Sequence, residues 1–157
     1  MNILVVFASE VEARNFSIPT HSTHTISVLV SGVGSYTTLY SLTKYCLQHK
    51  PDLIVHAGIC GTFTNTPIGT VVQVVSDCFA DVGVYEQQGF RTLFDMNLAD
   101  ADLYPFTQGR LVLMSHTVPF LPQVHGVTVN TITSAPLQLS ELIRTYNPHI
   151  ESMEGAA

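Results

Sequence analysis

The sequence predicts a single α/β domain built on an open sheet. Three observations carry this. Short β-prone apolar runs end in glycine turns, stretches with helical spacing of apolar groups follow those turns, and 46% of the 157 residues are hydrophobic while only 11% are charged. Such a composition supports a compact globule, and a chain of this length buries roughly two-thirds of the surface its unfolded form exposes.

Residues 3–7 form a continuous apolar run, the pattern of a strand covered on both faces. The run has no basic segment before it and meets Glu10 and Glu12 directly, so it reads as a strand and not as an export signal. Ser9 then opens a helix. A second strand over 26–30 ends at Ser31-Gly32-Val33-Gly34, and Tyr36, Leu39, Tyr40, Cys46 and Leu47 place apolar groups at helical spacing across 35–49. Pro51 closes that helix, and 53–56 is a third buried strand that breaks at Gly58-Ile59-Cys60-Gly61.

Pro67 and Gly69 introduce a strand over 71–75. The polar stretch 77–102 is expected to be a long surface loop with some local structure around Gly89 to Phe94. Residues 110–115 and 126–130 read as two further strands, with Pro119 and Pro122 marking an exposed connection. A helix over 137–146 ends at Asn147-Pro148, and 150–157 returns toward the interior with Glu151 and Glu154 near the start of another helix. In open α/β sheets ligands bind at the carboxyl ends of the strands, and the candidate site residues fall there.

The formal charge of −6, with six basic residues scattered singly, disfavours nucleic-acid binding. Cys46, Cys60 and Cys78 are odd in number and set among apolar neighbours, which points to reduced, buried thiols in a cytosolic protein. His21 and His24 stand at i, i+3 without an acidic or cysteine partner at ligand spacing. Ser31-Gly32-Val33-Gly34 has the position of a phosphate-cradling turn, but Thr37 replaces the third glycine of the dinucleotide fingerprint; a tight strand-to-helix turn and an anion site both remain open.

Two carboxylates have a structural and a chemical reading. Ser9-Glu10-Val11-Glu12 matches the S-x-x-E capping box, in which serine and glutamate satisfy free amides at a helix start. The alternative for Glu12 is a carboxylate at the tip of the first strand, able to polarise a water. Glu154 lies within the small and apolar run Met153 to Ala157, where an unpaired buried carboxylate is costly unless a ligand or hydrogen bonds satisfy it.

Taken in order, Phe7-Ala8-Ser9-Glu10-Val11-Glu12, Ser31-Gly32-Val33-Gly34, the Pro51 to Gly61 segment and Glu151-Ser152-Met153-Glu154-Gly155-Ala156-Ala157 resemble the nucleoside phosphorylase/nucleosidase superfamily over the whole chain. Val75-Ser76-Asp77, the Gly89 to Phe94 patch and Val127-Thr128-Val129-Asn130-Thr131 look most like its futalosine hydrolase branch, which acts in menaquinone biosynthesis. The resemblance implies a three-layer α/β/α sandwich with a central mixed sheet, lacking its C-terminal strand and helix. It implies one phosphorylase/hydrolase-like domain over 1–157 in a cytoplasmic homodimer or larger homo-oligomer.

The implied activity is hydrolysis of the N-ribosyl bond of a purine nucleoside, futalosine to hypoxanthine plus dehypoxanthine futalosine, with neither cofactor nor metal. Glu12 matches the glutamate that activates water, Met153 and Glu154 match the pair at the ribose, and Gly61 and Ser134 are placed at the substrate. Where phosphorolytic relatives carry an arginine and a serine to hold phosphate, this chain has His56 and Ile59, which shifts the expectation toward water. The aspartate that protonates the leaving purine is expected beyond Ala157, so no general acid is assigned. Methylthioadenosine/adenosylhomocysteine nucleosidases, phosphorylases and a non-catalytic nucleoside-binding remnant are the alternatives.

Overall fold

A computed structural model describes residues 1–113 and 117–157. The chain divides into two compact units, Met1–Ile59 with Ala157, and Cys60–Ala156.

The first unit is a parallel three-stranded sheet with its helices. It contains β1 (Asn2–Phe7), α1 (Glu10–Ala13), β2 (Thr25–Val30), α2 (Ser35–Gln48) and β3 (Leu53–His56), in strand order β2-β1-β3. In β1, Leu4 and Val6 are fully buried, as the unbroken apolar run requires of a central parallel strand. Val5 is in register with Val28 on one side and Val55 on the other. Asp52 ties the entry of β3 to the start of β1, its carboxylate accepting the Asn2 amide at 2.6 Å while its own amide donates to the Asn2 carbonyl at 2.7 Å.

Two expectations for this unit change. The run 53–56 is a strand, but Ile54 and Val55 are 43% and 41% exposed, because among the described residues β3 is an edge strand paired with β1 alone. Helix α2 lies where its spacing predicts, yet Tyr36, Leu39, Tyr40 and Leu47 are exposed and the buried residues are Ser35 and Thr38. The inward face is made of short hydroxyl side chains that bond back to the strand end. Thr38 Oγ1 and Ser31 Oγ are 3.0 Å apart, and Ser41 Oγ donates to the Ser31 carbonyl at 2.8 Å. Gly32 and Gly34 both have positive φ, 91° and 95°, and Thr37 Oγ1 donates to the Val33 carbonyl at 2.7 Å. The segment is therefore a tight strand-to-helix turn with a hydroxyl folded over it.

The second unit holds a six-stranded mixed sheet. Its elements are β4 (Gly61–Thr62), β5 (Gln73–Asp77), β6 (Gly83–Glu86), β7 (Gly89–Thr92), β8 (Phe106–Thr107), β9 (Arg110–Val112), β10 (Gln123–Thr128), α3 (Pro136–Tyr146) and β11 (Ile150–Ser152). The order is β4-β11-β10-β5-β9-β8, with β10 parallel to both β5 and β11 and the outer pairings antiparallel. The mixed α/β class and the mixed sheet expected from the sequence are both present. The core gathers Cys78, Ala80, Val127, Val129 and Leu142, with Phe63 and Tyr146 packed against it.

Several boundaries move for reasons of pairing. The strand expected over 71–75 begins at Gln73, because Thr70 closes a turn on Pro67 and pairing starts where Gln73 meets Gln123. The strand expected over 126–130 starts at Gln123 for the same reason and ends at Thr128, after which the Asn130 amide bonds to Asp81. The strand expected over 110–115 is described as Arg110–Val112; Met114 and Ser115 lie outside the described residues.

The stretch 77–102 is more ordered than a loop. Its Gly89 to Phe94 patch supplies one arm of a hairpin in which Glu86 pairs with Gly89 around a two-residue turn. A second hairpin, β8 to β9, turns at Gln108 and Gly109, both with positive φ of 51° and 73°.

Gly61, read as part of a turn, opens β4. Residues 150–152 form β11 in register with 126–128, so Glu151, expected near a helix start, sits in a strand, and a turn follows it. Helix α3 begins with Pro136 at its first turn and ends on Asn147 in the left-handed region, φ 43°.

Candidate active site

Glu12 stands at the third position of α1, the place from which a capping-box glutamate reaches back to the cap amide. The serine half of that box is made, the Glu12 amide donating to Ser9 Oγ at 3.3 Å. The glutamate half is not. Glu12 Oε2 accepts the Ser9 hydroxyl at 2.9 Å, and Oε1 accepts the backbone amide of Ile59 at 3.0 Å, just beyond β3. A four-residue helix thus holds a carboxylate across the carboxyl ends of two parallel strands. Gly58 makes the approach possible, since a Cβ there would stand 2.9 Å from Glu12 Oε1. The anchor is a main-chain amide, so the Ile59 side chain, 83% exposed, is not needed for it.

The other sequence-predicted site residues lie in the second unit. Glu154 is buried and its Oε2 accepts the Met153 amide at 3.2 Å. The turn that carries this pair is held at two points: the Gly155 amide donates to Ser152 Oγ at 3.1 Å and the Ala156 amide to Thr128 Oγ1 at 2.9 Å. Gly61 is the antiparallel register partner of Glu151. Ser134 is exposed ahead of α3, next to Thr133, whose amide donates to Glu151 Oε1 at 3.3 Å. Gly61 and the residue before Ser134 therefore both meet Glu151. Glu151 is itself buried, and its Oε2 has no hydrogen-bond partner among the described residues.

Asp77 escaped the reading of the sequence as a functional residue. It ends β5, is 5% exposed, and its Oδ1 accepts the Cys78 amide at 2.7 Å and the Thr128 hydroxyl at 3.0 Å. Oδ2 is buried with no hydrogen-bond partner among the described residues. Burial pushes this carboxyl up to about 6 against the opposing effects of the Thr128 and Cys78 hydrogen bonds and the Arg110 charge. Arg110 makes its bonds to neutral groups: Nε to Ser76 Oγ at 2.9 Å and a terminal nitrogen to the Gly126 carbonyl at 2.7 Å. The available signal was a carboxylate at a strand end, immediately before the apolar Cys78-Phe79-Ala80 run.

The three cysteines differ in burial. Cys78 is in the core and burial pushes its thiol up to about 11, which fits packing and not nucleophilic attack. Cys46 is half-buried and Cys60 is exposed, because each lies on a segment, α2 or the exit from β3, whose apolar residues do not face the core. Among the described residues no group of three or more His, Cys, Asp and Glu side chains could hold a metal ion, and no helix is long and apolar enough to cross a membrane.

This architecture is the nucleoside phosphorylase/nucleosidase fold. It superposes on solved structures of nucleosidases across 99% of this chain, with TM-scores of 0.65 to 0.74. One is the native futalosine hydrolase of Helicobacter pylori, with a TM-score of 0.67, 13% identity and 78% of that chain covered. Another is the S-adenosylhomocysteine nucleosidase of Streptococcus pyogenes in complex with 5-methylthiotubericidin, with a TM-score of 0.74, 15% identity and 75% covered. The methylthioadenosine/S-adenosylhomocysteine nucleosidase of Neisseria meningitidis, in complex with methylthio-immucillin-A, gives 0.73 at 13% identity over 76% of its chain. At such identities the likeness establishes the fold. No protein-family model and no curated protein sequence matches the chain.

Proposed function

We propose that the protein is a nucleosidase that hydrolyses the N-ribosyl bond of a purine nucleoside, with Glu12 as the residue that polarises the attacking water. The observation that carries this is that the Glu12 carboxylate accepts the Ile59 amide and the Ser9 hydroxyl in place of the Ser9 amide. A residue serving only the cap would bond the Ser9 amide. Held by one hydroxyl and one main-chain amide, Glu12 is pinned at the strand ends with lone pairs left to orient a water.

N-ribosyl cleavage passes through an oxocarbenium-like state, so carboxylates near the sugar stabilise developing positive charge while one of them draws a proton from water. In this reading Glu12 takes the water, and Met153 and Glu154 take the ribose. Gly61 and Ser134 line the substrate. His56 and Ile59, standing where a phosphate site would need donors, support water over phosphate as the nucleophile.

The substrate in this reading is futalosine, on the strength of the segments around Asp77, Gly89 to Phe94 and Val127 to Thr131, and the product base is hypoxanthine. The nucleosidase neighbours that carry methylthioadenosine-type ligands make that nucleoside the comparison of choice. We further propose a cytoplasmic homodimer or larger homo-oligomer. The exposed Tyr36, Leu39, Tyr40 and Leu47 of α2 support an assembly, since exposed apolar groups in such number on one helix favour association.

The test is release of free base from futalosine and from methylthioadenosine, with and without phosphate. Hypoxanthine release that is faster on futalosine and indifferent to phosphate supports the reading. Preference for methylthioadenosine overturns the substrate, dependence on phosphate overturns hydrolysis, and no release from any purine nucleoside overturns the enzyme.

A further inference from the structure

Asp77 is a buried carboxyl outside the residues assigned above, and its hydrogen bonds lead to the turn that carries Met153 and Glu154. Thr128 is fully buried, and its single hydroxyl proton is committed to Asp77 Oδ1 at 3.0 Å. With the proton so directed, the Thr128 lone pairs face the Ala156 amide, which donates to Oγ1 at 2.9 Å. Asp77 Oδ1 is itself held in place by the Cys78 amide at 2.7 Å. A directed chain therefore runs from the end of β5 through the end of β10 to the residue two beyond Glu154.

The glycines on either side of this chain fit the same purpose. A Cβ on Gly126 would stand 2.9 Å from Asp77 Oδ2, and one on Gly155 would collide with that atom and come 3.0 Å from Ser152 Oγ. Both positions leave room for a carboxyl group where a side chain would otherwise stand. The second hydrogen bond of the turn, from the Gly155 amide to Ser152 Oγ, fixes its other side. A buried carboxyl with one oxygen unpartnered among the described residues is costly to keep, so it calls for a gain elsewhere.

We propose that Asp77, acting through Thr128, is the positioning residue of the Met153–Glu154 turn, setting the orientation in which that pair meets the ribose of a purine nucleoside. This rests on the nucleosidase reading above. Asp77 touches neither water nor sugar in this scheme. It orients Thr128, Thr128 orients Ala156, and the turn follows.

The experiment pairs steady-state hydrolysis with amide hydrogen exchange in the protein without substrate. Thr128→Val keeps the side-chain volume and removes both bonds. It is expected to speed exchange of the Ala156 amide by about tenfold or more and to raise KM for futalosine by about tenfold with kcat lowered less than threefold. Thr128→Ser restores the hydroxyl and is expected to return both readouts to within about threefold of wild type. Asp77→Leu, which removes the acceptor, should reproduce the Thr128→Val pattern; it also decides the matter if Thr128→Val does not fold.

An Ala156 amide as protected in these variants as in wild type overturns the proposal. So does fast exchange with KM unchanged. If the wild-type protein neither binds nor cleaves a purine nucleoside, the nucleosidase reading fails and the ribose-positioning role falls with it; exchange at Ala156 then reports the structural connection alone. Loss of the KM effect in an active enzyme leaves the nucleosidase reading standing.

Discussion

Glu12 accepts the backbone amide of Ile59 at 3.0 Å although the two residues are 47 apart in sequence and Glu12 occupies the capping-box position of its own helix. The hydrogen bond fixes one carboxylate oxygen at the ends of β1 and β3 while the other accepts the Ser9 hydroxyl. Glu12→Gln preserves shape and keeps an acceptor for the Ile59 amide but removes the charge. Hydrolysis should fall by about 10²- to 10⁴-fold, the range ascribed to general acid–base groups, while stability changes by less than about 1 kcal/mol. Single-turnover base release beside a urea titration checks both.

Gly58→Ala probes the same carboxylate from the opposite side. The new methyl would start 2.9 Å from Glu12 Oε1, so either the carboxylate or the backbone must shift. A displacement of about 1 Å at a reacting group can cost about 10² in rate. We expect a loss of that order with the thermal midpoint little changed; full activity would mean that the Glu12 position is not critical.

Asp77 gives a pH signature. Its carboxyl is raised from 3.8 to about 6 by burial, so between those values the folded state binds more protons than the unfolded one. Stability from this group is therefore fully present below about pH 4 and is lost as pH rises through about 6. The difference amounts to about 3 kcal/mol at 1.36 kcal/mol per unit. Asp77→Asn removes the titration, so wild type should lose stability relative to the variant as urea titrations move from pH 4 to pH 7. Parallel curves would contradict the assignment.

Gly155→Ala should destabilise the protein by about 1–3 kcal/mol through overpacking against Asp77 and Ser152. It should also weaken nucleoside binding, because the affected turn carries Met153 and Glu154. Pairing Gly155→Ala with Asp77→Ala, which vacates the space, should recover part of the lost stability. A double mutant that is simply additive would argue against the contact.

Much of this arrangement was legible in the residues. The apolar run of β1, the glycine turn at Gly32 and Gly34, and both longer helices lie where spacing and breakers place them. Ser9 and Glu12 were visible as a pair with two readings, whereas the bond from the Ile59 amide was not, because that partner is distant in sequence.

What periodicity could not convey was which face is covered. The inward face of α2 is hydroxyl-bearing, so Tyr36, Leu39, Tyr40 and Leu47 are exposed, and β3 is an edge strand despite its buried-strand composition. The ends of β5 and β10 depend on their mutual register, which no local signal encodes. Asp77 was missed for the same reason: its partners Thr128, Gly126 and Gly155 come together only through the parallel pairing of β5, β10 and β11.

The most direct test of the account is base release from futalosine without phosphate, by the wild-type protein and by Glu12→Gln side by side. The account predicts hypoxanthine from the wild type and at least about a hundredfold less from the variant, which should still bind the nucleoside. Equal turnover by the two proteins, or none by the wild type on any purine nucleoside, would contradict it.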